Sequence, residues 1–348
     1  VVRDKSSEWK AIRGSESAAR LPMGILAEAV CEPMNRPEGR RSDAPDAVVT
    51  RLAVRIGELH DHSWVAADLH NLLLLLSPSD VATLIPILGR FGSGGNSVPI
   101  PVVRTSSPPA VRQAVYDLAQ RLGKGLVLRV DGVNHLGRSV KVAETIALES
   151  GVAAQDIDLI VDAKDLPRYV PLVELHDSFP VIPSCRSWTF LSGTFPGSIT
   201  DLSPSTLLHT LDRTEWSSYS EQILNLGGRR VPWFGDYATQ PAEYQPSAPF
   251  RPSPTLRYTT AGGYLVLRGR RDAPEGSTQY IGHARVLQSH PEFGSVVSGD
   301  SEAYTRRIAS GTCGTGNPET WRVASLQRHT AVACAQEAAV RAAVTSSA

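Results

Sequence analysis

Gly125-Leu-Val-Leu-Arg-Val-Asp131, followed by helical spacing over residues 138–150, reads as one strand and one helix of a βα unit. A short apolar run that ends on charged residues has the pattern of a buried strand whose last positions turn polar at a sheet edge. The same alternation recurs on both sides of it. Strand-like runs lie at residues 1–2, 24–30, 63–68, 97–104, 125–131, 157–162, 187–192 and 231–237. The helical segments that follow them span residues 8–20, 47–59, 79–88, 108–122, 138–150, 166–176 and 203–226, with the eighth deferred to 279–289. Eight such units predict right-handed βαβ connections and a closed parallel (β/α)8 barrel of the TIM type, with residues 1–348 as one domain. The alternative is an open doubly wound sheet, which would usually carry a glycine-rich phosphate loop after its first strand. No such loop is visible, and the glycines at 92, 94 and 95 precede a strand rather than open a helix, so they read as a turn.

Between the eighth strand and its helix lies an insertion over residues 240–275, rich in proline at its start. Gly262-Gly263, between Arg257-Tyr-Thr-Thr and Tyr264-Leu-Val-Leu-Arg268, reads as the two-residue turn of a β-hairpin, expected to lie over one end of the barrel. Residues 293–328 are rich in turn formers, and an alanine-rich helix is expected over residues 330–344.

Composition narrows the classes. With 348 residues and 41% hydrophobic content the chain can bury a large core. Its 35 basic and 35 acidic residues cancel, which removes the whole-molecule field common among nucleic-acid binders. The apolar run at residues 72–76 falls far short of the roughly 18 residues of a membrane span. The first residues, Val-Val-Arg-Asp-Lys, have no initiator Met and no signal-peptide pattern, and the expectation is a cytoplasmic chain trimmed at its N-terminus. Cys31, Cys185, Cys313 and Cys334 are scattered without a Cys-x-x-Cys pair, so free thiols are expected rather than a zinc ribbon or a disulfide framework.

A parallel barrel brings the C-terminal ends of its strands to one face. Here those ends are Glu28, Asp68, Arg104, Arg129 with Asp131, Asp162 with Lys164, Ser192, and Asp236 with Tyr237 beside it. Converging carboxylates repel one another, share a cation such as Mg²⁺ or Ca²⁺, or pair with interleaved arginine and lysine. An Asp at a βα junction also has a plainer use, which is to cap the following helix. His70, two residues past Asp68, is a further candidate as metal ligand or base. Ser192-Gly193 lacks a Gly-x-Ser-x-Gly elbow, which argues against a serine hydrolase. Arg257, Arg268 and Arg270 on the hairpin could clamp a phosphate or carboxylate, or simply form a solvated face.

The chain resembles the beta protein family, named for a bacteriophage protein. The likeness is carried by Lys5-Ser-Ser-Glu8, Leu126 to Asp131, Asp158 to Asp162, Ser192-Gly-Thr-Phe-Pro196 and Arg213-Thr-Glu-Trp216. It continues through Phe234-Gly-Asp-Tyr237, Leu256-Arg-Tyr258, Leu267-Arg-Gly-Arg270, Ser298-Gly-Asp300 and Thr320-Trp-Arg322. The chain departs from the family pattern at Gly263-Tyr264, where members usually carry a Trp, and at Arg328-His329, where they carry a His pair. The resemblance implies a setting in phage and host conflict and supplies no catalytic residues.

Two functions are therefore expected. One is a metal-assisted hydrolase of a phosphate-containing substrate, with Asp68, Asp131 and Asp236 catalytic, and a divalent cation as the candidate cofactor. Its ligand-binding groups would be Glu28, Arg104, Arg129, Asp162, Lys164, Tyr237, Arg257, Arg268 and Arg270. The other is a non-catalytic barrel that holds a protein or nucleic-acid partner at the same polar mouth. Charge balance weighs against nucleic acid, and the lack of a reaction-specific motif favours binding.

Overall fold

The computed structural model describes residues 1–3, 5–19, 24–29, 45–59, 64–74, 76, 98–131, 133–165, 171–203, 207–244 and 252–347. Contacts group the chain into two compact units. The first comprises Val1–Lys5, Pro22–Ser192 and Tyr219–Asp236, and the second Ser6–Leu21, Gly193–Ser218 and Tyr237–Ala348.

The first unit contains all eight strands expected for the barrel. They are β1 (Val2–Arg3), β2 (Ile25–Glu28), β3 (Val65–Asp68), β4 (Ile100–Arg104), β5 (Leu126–Asp131), β6 (Ile157–Lys164), β7 (Ser187–Ser192) and β9 (Trp233–Gly235). Every pairing is parallel, and the order is strictly sequential from β1 to β9, which rules out the doubly wound alternative. The sheet curls as a half-barrel. Full closure is not among the observed pairings: no ladder joins β9 to β1 among the described residues. The reason is local, because β1 has two residues and β9 three, and Pro232 leaves the approach to β9 without a donor. At these two edges the Val1 nitrogen donates to the Asp236 carbonyl at 2.7 Å.

The central strands are buried on both faces, as parallel strands covered by helices must be. Alternation along the strands puts Leu26, Ala66, Val102, Val127 and Ile160, each two positions before a strand-end charge, on the same inner face, where they form an apolar middle. Beneath it Asp158 accepts from Trp64 Nε1 (2.7 Å), Ser187 Oγ (2.6 Å) and the Arg186 guanidinium (2.6 Å). Above it lies a charged layer at the strand ends. Gly125, which precedes β5, has φ +86°, and a Cβ there would sit 2.1 Å from the Asp156 carbonyl oxygen, so this turn requires glycine.

Helices α2 (Pro45–Gly57), α3 (His70–Leu73), α4 (Pro109–Leu122), α5 (Leu136–Glu149) and α6 (Leu172–Ser178) follow the strands. The expected helix at 79–88, the glycine turn at 92–95, Cys31 and residues 166–170 lie outside the described residues. The expected helix over 203–226 is corrected: β8 (Leu208–Asp212) precedes α7 (Thr214–Ile223). Leu208 and Leu211 suit a helical period as well as a strand, and pairing with the hairpin decides the matter in favour of the strand.

That hairpin, β10 (Thr255–Thr259) and β11 (Gly263–Arg268), forms with β8 an antiparallel sheet of order β10-β11-β8 in the second unit. Its two-residue loop is Ala261-Gly262, one position earlier than expected, with Thr260 N donating to Gly263 O at 2.9 Å. One sheet face, Leu256, Tyr258, Leu265 and Leu267, packs on Tyr280, Leu287, Ile308 and Trp321. The other, Tyr264 and Val266, packs on Phe195. The helical partners are α8 (Gln279–Gln288), α9 (Asp300–Ala309) and α10 (Pro318–Ser347), with α1 (Ser6–Ala19) against α10. Thus the segment read as turn-rich holds α9 and the start of α10. Glu302 closes the first turn of α9 by accepting the Gly299 N–H at 2.7 Å, a helix-start signal hidden behind Ser298-Gly299. Cys185, Cys313 and Cys334 are free thiols. Among the described residues no helix is long and apolar enough to cross a membrane.

Candidate functional site

Six successive strands of the first unit each bring one charged side chain to the top of the inner face: Arg3, Glu28, Asp68, Arg104, Arg129 and Asp162. None is more than 6% exposed. Register places Glu28 beside Asp68, and Arg104 beside Arg129, so like charges are neighbours along the sheet. Adjacent like charges are unfavourable unless an opposite charge reaches between them. Arg129 does so. Its Nη1 lies 2.5 Å from Glu28 Oε1 and 2.7 Å from Asp68 Oδ2, and its Nη2 lies 2.6 Å from Asp162 Oδ2. Arg104 Nη2 reaches Asp68 Oδ2 at 2.8 Å and Glu28 Oε1 at 3.3 Å, and Arg3 Nε reaches Glu28 Oε2 at 3.4 Å.

Three cations thus face three carboxylates, and the layer is neutral. Burial disfavours the ionised form of Glu28, but Arg129, Arg104 and Arg3 outweigh it and hold that carboxyl well below the usual range. Asp68 is likewise lowered, with burial and Glu28 opposing and Arg104 and Arg129 prevailing. Asp68 Oδ1 also accepts the N–H of His70, the first residue of α3, at 3.1 Å, and Asp162 Oδ1 accepts the Lys164 N–H at 3.0 Å in the turn that ends β6.

The rim is less buried. Asp131 is half-buried at the end of β5, where Ser106 Oγ donates to Oδ2 at 2.7 Å while the buried Oδ1 has no hydrogen-bond partner among the described residues. Lys164, at a bulge ending β6, holds φ +55° and places Nζ 3.2 Å from Asp162 Oδ2. Ser192 Oγ fixes this turn by donating to the Lys164 carbonyl at 2.9 Å. His70 shares a hydrogen bond with Ser107 Oγ at 2.9 Å, and burial, then Arg104, pushes its imidazole down toward the neutral form. Asp236 is half-buried just past β9.

The structure therefore gathers Glu28, Asp68, Arg104, Arg129, Asp162 and Lys164 into one bonded group, with Asp131 and Asp236 at strand ends of the same sheet. Tyr237, Arg257, Arg268 and Arg270 belong to the second unit. Tyr237 is a buried aromatic, and Arg268 donates to the Thr200 carbonyl at 2.8 Å and to the Leu202 carbonyl. Arg270 is exposed. Sequence reading missed Arg3 because it ended the first strand at Val2, although a strand-end charge is the pattern in each of the next five strands. It missed Ser107, whose role depends on a contact 37 residues away.

Motif residues in the second unit form buried polar braces. Glu215 accepts from Tyr264 Oη at 2.8 Å and from Thr194 Oγ1, with Arg213 Nε 3.4 Å away. Arg328 donates to the Thr259, Val297 and Ser295 carbonyls and lies 3.2 Å from Glu302, which also accepts from Tyr258 Oη at 2.9 Å. His329, the other departure from the family pattern, is buried and bonded to Thr259 Oγ1 at 3.1 Å. These segments hold a fold together and need name no reaction. Among the described residues no group of three or more His, Cys, Asp or Glu side chains is arranged to hold a metal ion.

An all-parallel, sequentially ordered α/β sheet with a charge-neutral strand-end layer, joined in one chain to an antiparallel hairpin sheet under helices, defines the class of protein. The family profile described as Beta protein matches residues 37–333, most of the chain, and the chain belongs to that family. Comparison with curated proteins and with solved structures returns no match.

Proposed function

We propose that this beta-family protein is a binding protein that presents the strand-end rim of its parallel sheet to a protein partner, and is not a metal-dependent hydrolase. One observation carries this reading. Each of the three buried strand-end carboxylates is already taken by arginine at 2.5–2.8 Å, leaving no net negative charge to draw a divalent cation. A layer so paired is stiff and poorly suited to donate or accept protons. It can instead hold the rim residues Asp131, Lys164, Thr105 and Ser106 in fixed positions for recognition. The balanced charge of the chain favours a protein partner over nucleic acid. The family name supports a setting in phage and host conflict.

The test is a thermal scan of chelator-treated protein with and without millimolar Mg²⁺, Mn²⁺ or Ca²⁺, together with a phosphodiester hydrolysis assay under the same conditions. The expected result is an unchanged melting temperature and no turnover. A cation-dependent rise in melting temperature, or hydrolysis, that Asp131→Asn abolishes would overturn the binding reading in favour of the hydrolase.

A further inference from the structure

Arg268-Gly-Arg-Arg271, which begins on the last residue of β11, is a stretch that the strand-end layer does not use. All three arginines line one open cavity of about 230 Å³, together with Ser253, Gly269 and Asp272. Three guanidiniums against one carboxylate leave that lining positive. Like charges gathered in this way repel one another unless an anion comes between them.

The turn that carries the arginines is fixed in place. Gln279, the first residue of α8, accepts the Arg270 N–H at Oε1 (2.9 Å) and donates from Nε2 to the Arg270 carbonyl (2.9 Å). Gly269 N donates to the Pro254 carbonyl at 2.7 Å. A Cβ at residue 269 would stand 2.6 Å from Gln279 Oε1 and 3.1 Å from the Pro254 carbonyl oxygen, so this close approach requires glycine. Arg268 Nη1 is held by the Thr200 and Leu202 carbonyls, while its Nε is buried with no hydrogen-bond partner among the described residues. Among those residues no carboxylate pairs with Arg268 or Arg270, in contrast to Arg129, Arg213 and Arg328. The cavity has room for more than a single water, and a phosphoryl group brings three acceptor oxygens, a match for guanidinium forks that approach from several sides.

We propose that Arg268, Arg270 and Arg271 form a subsite for a phosphate-type oxyanion, built wholly within the second unit. The site is independent of the strand-end rim, so its failure would leave the binding reading of the first unit untouched. Inorganic phosphate is the probe, titrated calorimetrically into the full chain at fixed ionic strength, with phosphoserine and adenosine monophosphate as parallel arms that identify what carries the group. Saturable binding of one phosphate per chain is expected. Arg270→Gln should weaken it about tenfold, the loss of one charge-assisted contact, with an unchanged melting temperature because that side chain is exposed. Asp272→Asn should tighten it about threefold, since it removes the one carboxylate of the lining. Arg307→Gln, an exposed arginine on α9 outside the cavity, should leave the affinity within about twofold. No saturable binding in any arm, or a loss in Arg270→Gln that Arg307→Gln reproduces, overturns the proposal.

Discussion

Replacing Arg129 by Met should be among the most damaging single changes in the first unit, with a pH dependence that identifies the cause. Arg129 is fully buried and bonds Glu28, Asp68 and Asp162 at 2.5–2.7 Å. Removing one partner of a buried ion pair costs about 3–5 kcal/mol, since the remaining charge stays out of water. Here three carboxylates lose a partner, which places the cost at about 5 kcal/mol, capped because the carboxyls can take up protons instead. For a unit of this size that is a fall of about 10–20 °C in melting temperature. In the parent, Glu28 and Asp68 titrate below their ordinary range, so their contribution is present above a carboxylate pKa near 4. It is lost as pH falls through the lowered folded-state values. In Arg129→Met those values rise, so the difference between parent and variant should be widest at pH 7 and shrink toward pH 4. Urea unfolding at pH 7 and pH 4, followed by near-UV circular dichroism, measures both. Adding Asp162→Asn to Arg129→Met should recover at least about 1 kcal/mol, because it removes one stranded charge. A loss below about 1 kcal/mol at pH 7, or one that grows on acidification, would refute the network as drawn.

Two further changes probe the second unit. His283 is 2% exposed against Tyr280, its Nδ1 has no hydrogen-bond partner among the described residues, and burial lowers its imidazole to about 4. A folded-state value below the unfolded 6.5 means stability fully present above pH 6.5 and lost as pH falls toward 4, in all about 3 kcal/mol. His283→Leu should flatten that loss between pH 7 and pH 4.5 in equilibrium unfolding, and an unchanged slope would disprove it. Val296, 49% exposed, is a β-branched residue at φ +66°, so Val296→Gly should raise stability by about 1 kcal/mol; a fall in melting temperature would show that its side chain contributes more than the strain it carries.

The first unit was legible because period, length and polarity agreed. Runs such as Leu126–Asp131 and Ile157–Lys164 are too apolar and too short for anything but strands buried on both faces, and their final charges marked the sheet edge. Curling and order followed from the repeated βα unit, whereas closure depended on edge strands of two and three residues whose brevity no period reports. The second unit was less legible because its decisive contacts are long-range. Leu208–Asp212 became a strand by pairing with Gly263–Arg268, more than 50 residues later, and nothing in its own pattern announces that partner.

At the site, residue types were readable and their balance was not. Strand-end alternation located Glu28, Asp68, Arg104, Arg129 and Asp162, but carboxylates at one sheet edge permit repulsion, cation binding or internal pairing. Register alone makes the outcome look worse, since it sets acid beside acid and arginine beside arginine. What settles it is reach: an arginine side chain is long enough for one guanidinium to touch three strands' carboxylates, and a planar fork meets them with separate N–H groups.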